Sequence, residues 1–147
     1  MTIRRRTALA SALAMTAAAG WPAAVFAQKK IVLGFSQIGA ESEWRTANTE
    51  SIKQAAKDSG VDLKFADAQQ KQENQIKAIR GFIAQGVDAI LVAPVVATGW
   101  DDVLKEAKDA NIPVILLDRG VDAPQELYLT SVASDQMREG EIGRAHV

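Results

Sequence analysis

The chain has no cysteine, and its one histidine, His146, stands next to its last residue. Without cysteine there is no disulfide framework, thiol nucleophile or thiolate metal site. With one histidine and no G-x-S-x-G elbow, triad hydrolysis lacks both base and scaffold. The segment after the first apolar run reads GFSQIGAESEWR, whose glycine spacing is wrong for a dinucleotide fingerprint, and a Walker loop is missing as well. Phosphate-bearing cofactors are therefore not expected, and no other cofactor is implied. A metal site would need all-oxygen ligands. Asp101-Asp102 could supply them, but at a helix start their simpler role is to cap and to complement the helix dipole. No apolar run reaches the roughly 20 residues needed to span a bilayer.

What is present begins with MTIRRRTALASALAMTAAAGWPAAVFA, which has the three parts of a secretory signal: a basic start at Arg4 to Arg6, an apolar stretch from Ala8 to Ala19, and small residues Val25 and Ala27 before a cleavage point. The expectation is a leader over 1–27 and a mature terminus at Gln28. Arg5-Arg6 raises a twin-arginine route, although Ala8 and Leu9 fit that pattern loosely. Removing Arg4, Arg5 and Arg6 leaves 14 of the 17 basic residues against 18 acids, a net charge near −4. Acidic surfaces suit nucleic acid poorly, because phosphate contacts need clustered lysine and arginine. The remaining chain, 48% hydrophobic over its whole length, suits one ordinary domain.

Short β-branched runs then alternate with segments of helical period. Strands are predicted over 30–36, 62–67, 89–94, 113–118 and 127–132, with helices over 43–59, 71–85 and 99–110. Ala47, Ser51, Ile52, Ala55 and Ala56 form the inward face of the first helix, with Gly60 as its stop. Ile76, Ile79 and Ile83 face inward on the second, which Gly86 ends. Val103, Leu104 and Ala107 do so on the third, with Thr98 and Asp101 at capping-box spacing, as are Asp67 and Gln70 earlier. The pattern predicts an α/β, doubly wound parallel sheet with right-handed crossovers. After the fifth strand, SDQMREGEIGRAHV opens like a helix capped by Ser134 or Asp135 and stops, so the chain reads as a fragment.

In an open parallel sheet, ligands sit beyond the carboxyl ends of the strands. That rule selects 36–45, 67–70, 93–98 and Asp118-Arg119. Two readings stand for Trp44 and Arg45. Either the indole offers an apolar face to a sugar ring while the guanidinium donates from its fixed fork, or Trp44 packs over the sheet edge and Arg45 is solvated. Trp100, after Gly99, reads as packing at a helix start. Asp118-Arg119 is either a surface ion pair worth about 0–1 kcal/mol or a partly desolvated pair that binds sugar hydroxyls by charge-assisted bonds. A strand tip facing the crevice favours the second. DAQQKQENQ (67–75) reads mainly as capping and solvated helix, with a polar cleft lining as the alternative.

The order IVLGFSQIG…EWR, KQENQIKAIRGFIAQGVDAILVAPV, VLKEAKDANIPVILLDR and TSVASD resembles the N-terminal lobe of periplasmic sugar-binding proteins of ABC importers, the ribose and galactose class. SQIGAESEWR, ADAQQKQENQ and APVVATGW resemble its galactofuranose-binding branch. The resemblance implies the type I binding-protein lobe: 28–132 as the N-terminal lobe of a two-lobe protein, and 133–147 as the first hinge crossing. It implies Trp44, Arg45, Asp118, Arg119, Gln37 and Glu41 as sugar-binding residues, with Asp118 and Arg119 on the LDR motif. Arg45 in place of a second aromatic, and Ala93 in place of a polar residue, point away from ribose. It further implies a monomeric periplasmic protein without cofactor, metal or reaction, delivering a monosaccharide to an inner-membrane ABC permease. Two alternatives stay open. One is a receptor lobe feeding a chemoreceptor or sensor kinase; the other is an exported sugar-modifying enzyme drawing on Glu41, Glu43 and Asp118. A LacI-type repressor shares the fold but carries a DNA-binding helix-turn-helix where this chain has a leader.

Overall fold

The computed structural model describes residues 29–134; the expected leader and most of the expected hinge crossing, including a helix capped by Asp135, lie outside the described residues. Five strands, β1 (Val32–Gln37), β2 (Asp62–Asp67), β3 (Ala89–Val92), β4 (Val114–Leu117) and β5 (Thr130–Val132), form one parallel sheet in the order β2-β1-β3-β4-β5. Between them run α1 (Glu43–Asp58), α2 (Gln72–Gln85) and α3 (Asp101–Asp109), and a single 3-10 turn, Gln125–Leu127, leads into β5. The expected α/β architecture and element order are therefore found. The fifth strand is shorter than expected because Leu127 and Tyr128 donate their amides back to Pro124 and Gln125, which winds the chain instead of extending it.

The helix ends follow local chemistry. Ser42 caps α1 by accepting the Arg45 amide at 3.2 Å. Gly60 (φ 68°) and Gly86 (φ 64°) take the left-handed conformation just past α1 and α2, where other residues are strained. Neither predicted capping box forms. Trp100, not Thr98, precedes α3 and makes no side-chain cap, because a cap must accept from backbone amides and an indole N–H can only donate; it donates to the Val96 carbonyl at 2.7 Å. Lys71 precedes α2, and Asp67 closes a tight turn on the Gln69 amide at 2.7 Å instead. Asp101 and Asp102 do occupy the first turn of α3.

One side of the sheet is sealed. Ile90, Val92, Val114 and Leu116 pack with Ile79 and Phe82 of α2 and with Trp100, Val103, Leu104 and Ala107 in and before α3. Each buried Leu, Ile, Val or Phe side chain contributes about 1.5–3 kcal/mol. Gly34 admits the Phe82 ring so closely that a Cβ there would lie 2.6 Å from it. The alternate strand positions face α1. Phe35 is fully buried there, its ring 5.6 Å from that of Phe65, but Leu33, Leu91, Ile115 and Leu117 are only half-buried. The face of α1 also differs from expectation. Arg45, Thr49 and Ala56 are buried with Ile52 half-buried, while Ala47, Ser51 and Ala55 are exposed. Small residues carry little hydrophobic free energy, so they did not set the rotation of the helix; the polar contacts at its start did.

Candidate functional site

All five strands run the same way, so their carboxyl ends share one rim, and β3 lies between β1 and β4 in the sheet. α1 starts just past β1, on the sheet side opposite α2 and α3. Gln37, the last residue of β1, is buried. Its amide nitrogen donates to Asn48 Oδ1 at 3.0 Å and Thr49 Oγ1 at 3.1 Å, while its oxygen accepts the Ile38 amide at 3.0 Å. These bonds use both amide hydrogens, so Gln37 holds the first turns of α1 and offers no free donor to a ligand.

The rotation thus imposed buries Arg45, whose side chain is 6% exposed, and turns it across the tip of β3. Its Nη2 donates to Asp118 Oδ2 at 2.6 Å, linking the start of α1 to the end of β4 across 73 residues, and its Nε donates to Glu41 Oε1 at 3.2 Å. Nη1 is buried and makes no hydrogen bond among the described residues. Trp44, one residue earlier and therefore about a quarter-turn round the helix, is 55% exposed, and the Arg45 guanidinium carbon lies 4.7 Å from its ring centre. Such a stack contributes about 0.5–1 kcal/mol when partly exposed. Both halves of the structural alternative, a packed Trp44 and a solvated Arg45, are the reverse of what is found.

Asp118 is held by its backbone. The Arg119 amide donates to the Leu117 carbonyl at 2.7 Å, closing a three-residue turn around Asp118, whose φ is 67°. The positive-φ form of this turn is rare and strained, and strain of this kind, about 1–3 kcal/mol, persists only where surrounding contacts enforce it. Here the enforcing contacts are the Asp118 amide on the Val132 carbonyl at 2.8 Å and the Arg45 bridge. Arg119 is the weaker neighbour: its Nε is 3.7 Å from Asp118 Oδ2, beyond hydrogen-bond range, and its side chain is 54% exposed. The adjacent Asp118-Arg119 pair read from the sequence is thus chiefly an Asp118–Arg45 pair, with the Arg119 side chain left exposed.

The structure therefore brings Trp44, Arg45, Glu41, Asp118 and Arg119 to one end of the sheet and places Gln37 beneath them. Sequence reasoning missed Asn48 and Thr49, and it read 67–75 mainly as capping and solvated helix, whereas Gln75 at the end of that stretch is fully buried. Gln75 falls in helical register with buried Ile79 and Phe82, so a polar residue on an apolar face was the available signal.

Residues 33–144 match the model of the periplasmic binding protein domain. The chain belongs to the periplasmic binding protein family. That family binds solutes for transport and performs no catalysis, and within it the similarity is to the galactofuranose-binding branch of the sugar-binding proteins of ABC importers. The galactofuranose-binding protein YtfQ of Escherichia coli is 60% identical over 113 residues, which cover 76% of this chain and 36% of that one. The arabinose ABC transporter binding protein of Shewanella sp. ANA-3, solved with α- and β-L-arabinofuranose, is 63% identical with a TM-score of 0.72, over 74% of this chain and 36% of that one. A Mycobacterium smegmatis protein solved with β-D-fucofuranose is 61% identical with a TM-score of 0.73, over 75% and 36%. This binding-protein chain spans little more than a third of the length of these relatives.

Proposed function

We propose that this chain supplies the N-terminal lobe of a periplasmic protein that captures a monosaccharide, in furanose form, between two lobes and delivers it to an ABC permease. The observation that carries the reading is the buried Arg45. It is held by Asp118 and Glu41 at the strand ends, has Trp44 stacked on it, and keeps one N–H pair without a partner among the described residues. A guanidinium so fixed donates to a hydroxyl or ring oxygen without reorganising, and charge-assisted bonds are about twice as strong as neutral ones. Asp118 accepts from sugar hydroxyls, exposed Arg119 donates to oxygens, and Trp44 meets the C–H face of the ring.

The names of the relatives support the furanose. The sugars they are named for or were solved with, galactofuranose, arabinofuranose and fucofuranose, share a five-membered ring. In this reading 1–27 is a leader removed on export, 28–132 the first lobe, and 133–147 the first passage into the second. A sugar bridging both lobes stabilises the closed form, which the permease recognises. The test is calorimetry on the full-length protein with D-galactose, L-arabinose, D-fructose and D-ribose. Binding of galactose or arabinose well ahead of ribose is expected, and binding of none of the four would overturn the reading.

A further inference from the structure

Residues 93–100 join β3 to α3 at the middle of the rim, between the strand ends that carry Gln37 and Asp118. The segment Ala93 to Ala97 has no polar side chain, and Val96, Ala97 and Thr98 are exposed. Exposed connections of this kind are ordinarily mobile. This one is tied down through its own backbone groups. The Ala93 amide donates to the Ser36 carbonyl at 3.0 Å, the Val96 carbonyl accepts from the Trp100 indole at 2.7 Å, and the Ala97 carbonyl accepts from the Asp122 amide at 2.7 Å.

The remaining ties come from α2. Gln75 is fully buried, where an unpaired amide would cost several kcal/mol. Its Nε2 donates to the Ala93 carbonyl at 2.7 Å and its Oε1 accepts the Val95 amide at 2.9 Å, so one side chain binds the loop at two points as a neighbouring strand would. One turn earlier, Gln72 Nε2 donates to the Thr98 carbonyl at 2.6 Å. An apolar residue at position 75 would have served the core equally well. The amide serves the loop.

We infer that Gln75, with Gln72 in support, is the positioning residue for the apolar wall of the sugar crevice: it fixes residues 93–98 so that a ligand meets preformed aliphatic surface beside the Arg45–Asp118 bridge. Gln75 never touches the ligand; it acts through the loop, and what it sets is discrimination by shape. The inference rests on the sugar-binding reading above.

The test uses full-length Gln75→Leu, Gln75→Glu and Gln72→Ala proteins, titrated with D-galactose and L-arabinose at 10 °C, with the Trp100 indole N–H resonance as a direct report on the loop. Gln75→Leu is expected to weaken both sugars by about tenfold, but unequally, so that their affinity ratio changes by about threefold or more. The indole resonance should move at the same time. Gln72→Ala removes a tie without creating a buried orphan, and should shift the ratio in the same direction by less while keeping the melting temperature. If Gln75→Leu does not fold, Gln75→Glu, which keeps the acceptor and loses the donor to Ala93, carries the test with Gln72→Ala. A lowered melting temperature with unchanged ratio and unchanged indole resonance would overturn the inference alone. A wild-type protein that binds no sugar overturns the functional reading and this inference together.

Discussion

The two sides of the sheet are built on different principles. On the α2–α3 side the buried residues are almost all hydrocarbon, and Ile79, Ile90, Leu104 and Leu116 have no exposed surface. On the α1 side the helix buries an arginine and a threonine, and the sheet residues beneath it stay half-open. On the proposed reading, the difference teaches that stability and recognition are separated across one sheet. The sealed side holds the strands in register, while at the crevice end of the α1 side packing gives way to hydrogen bonds that aim Arg45 and Asp118. Gln75 connects the two, because it sits in the apolar core and hydrogen-bonds a loop at the rim.

If that separation holds, damage to the sealed side lowers stability and leaves sugar preference alone. Leu104→Ala should show the largest effect, a loss of about 2–5 kcal/mol in urea unfolding, with the galactose-to-arabinose affinity ratio unchanged. Next comes Gly34→Ala, which drives a methyl into the Phe82 ring and should cost about 1–3 kcal/mol by overpacking, again with no change in preference. Arg45→Met tests the other side: sugar affinity by calorimetry should fall more than about tenfold, the loss of charge-assisted bonds, with a smaller stability change than Leu104→Ala. Wild-type affinity in Arg45→Met would erase the contrast.

The smallest expected effect belongs to neither side. Asp88, just before β3 and beside the start of β1, has its carboxyl held below the ordinary range by a hydrogen bond from Lys29 and a second from the Val32 amide. Glu106 is lowered in the same way by Arg80. A carboxylate with a depressed folded pKa contributes stability that is complete above its unfolded value, about 4, and is lost as pH falls through the lower folded value. Asp88→Asn should therefore flatten the acid limb of a melting-temperature profile slightly while leaving neutral-pH binding untouched. Both carboxylates are surface groups, so added salt should shrink the effect.

Much of the fold was legible because its signals are local. Continuous β-branched runs, the 3.6-residue period of α2 and α3, and glycines at 60 and 86 each act within a few residues of themselves. α1 was harder. Its candidate inward residues were alanines and serines, which weigh little, and the rotation was decided by Gln37 reaching Asn48 and Thr49, a contact no periodicity encodes. The capping boxes failed although the spacing was right: α3 starts after Trp100, beyond Thr98, and Asp67 accepts the Gln69 amide instead of capping α2.

What the sequence by itself determined was the alternation of strand and helix, hence a parallel sheet and a rim of strand ends where Trp44, Arg45, Asp118 and Arg119 would gather. Hydrophobic period and turn chemistry act along the chain, and they suffice for that. Only the tertiary structure decided which of Trp44 and Arg45 is buried, that Asp118 pairs with Arg45 73 residues away more closely than with Arg119 beside it, and that Gln75 faces the core. Those outcomes depend on distance through space, and a carboxylate pairs with the arginine that packing brings within 3 Å over the one that merely follows it in the chain.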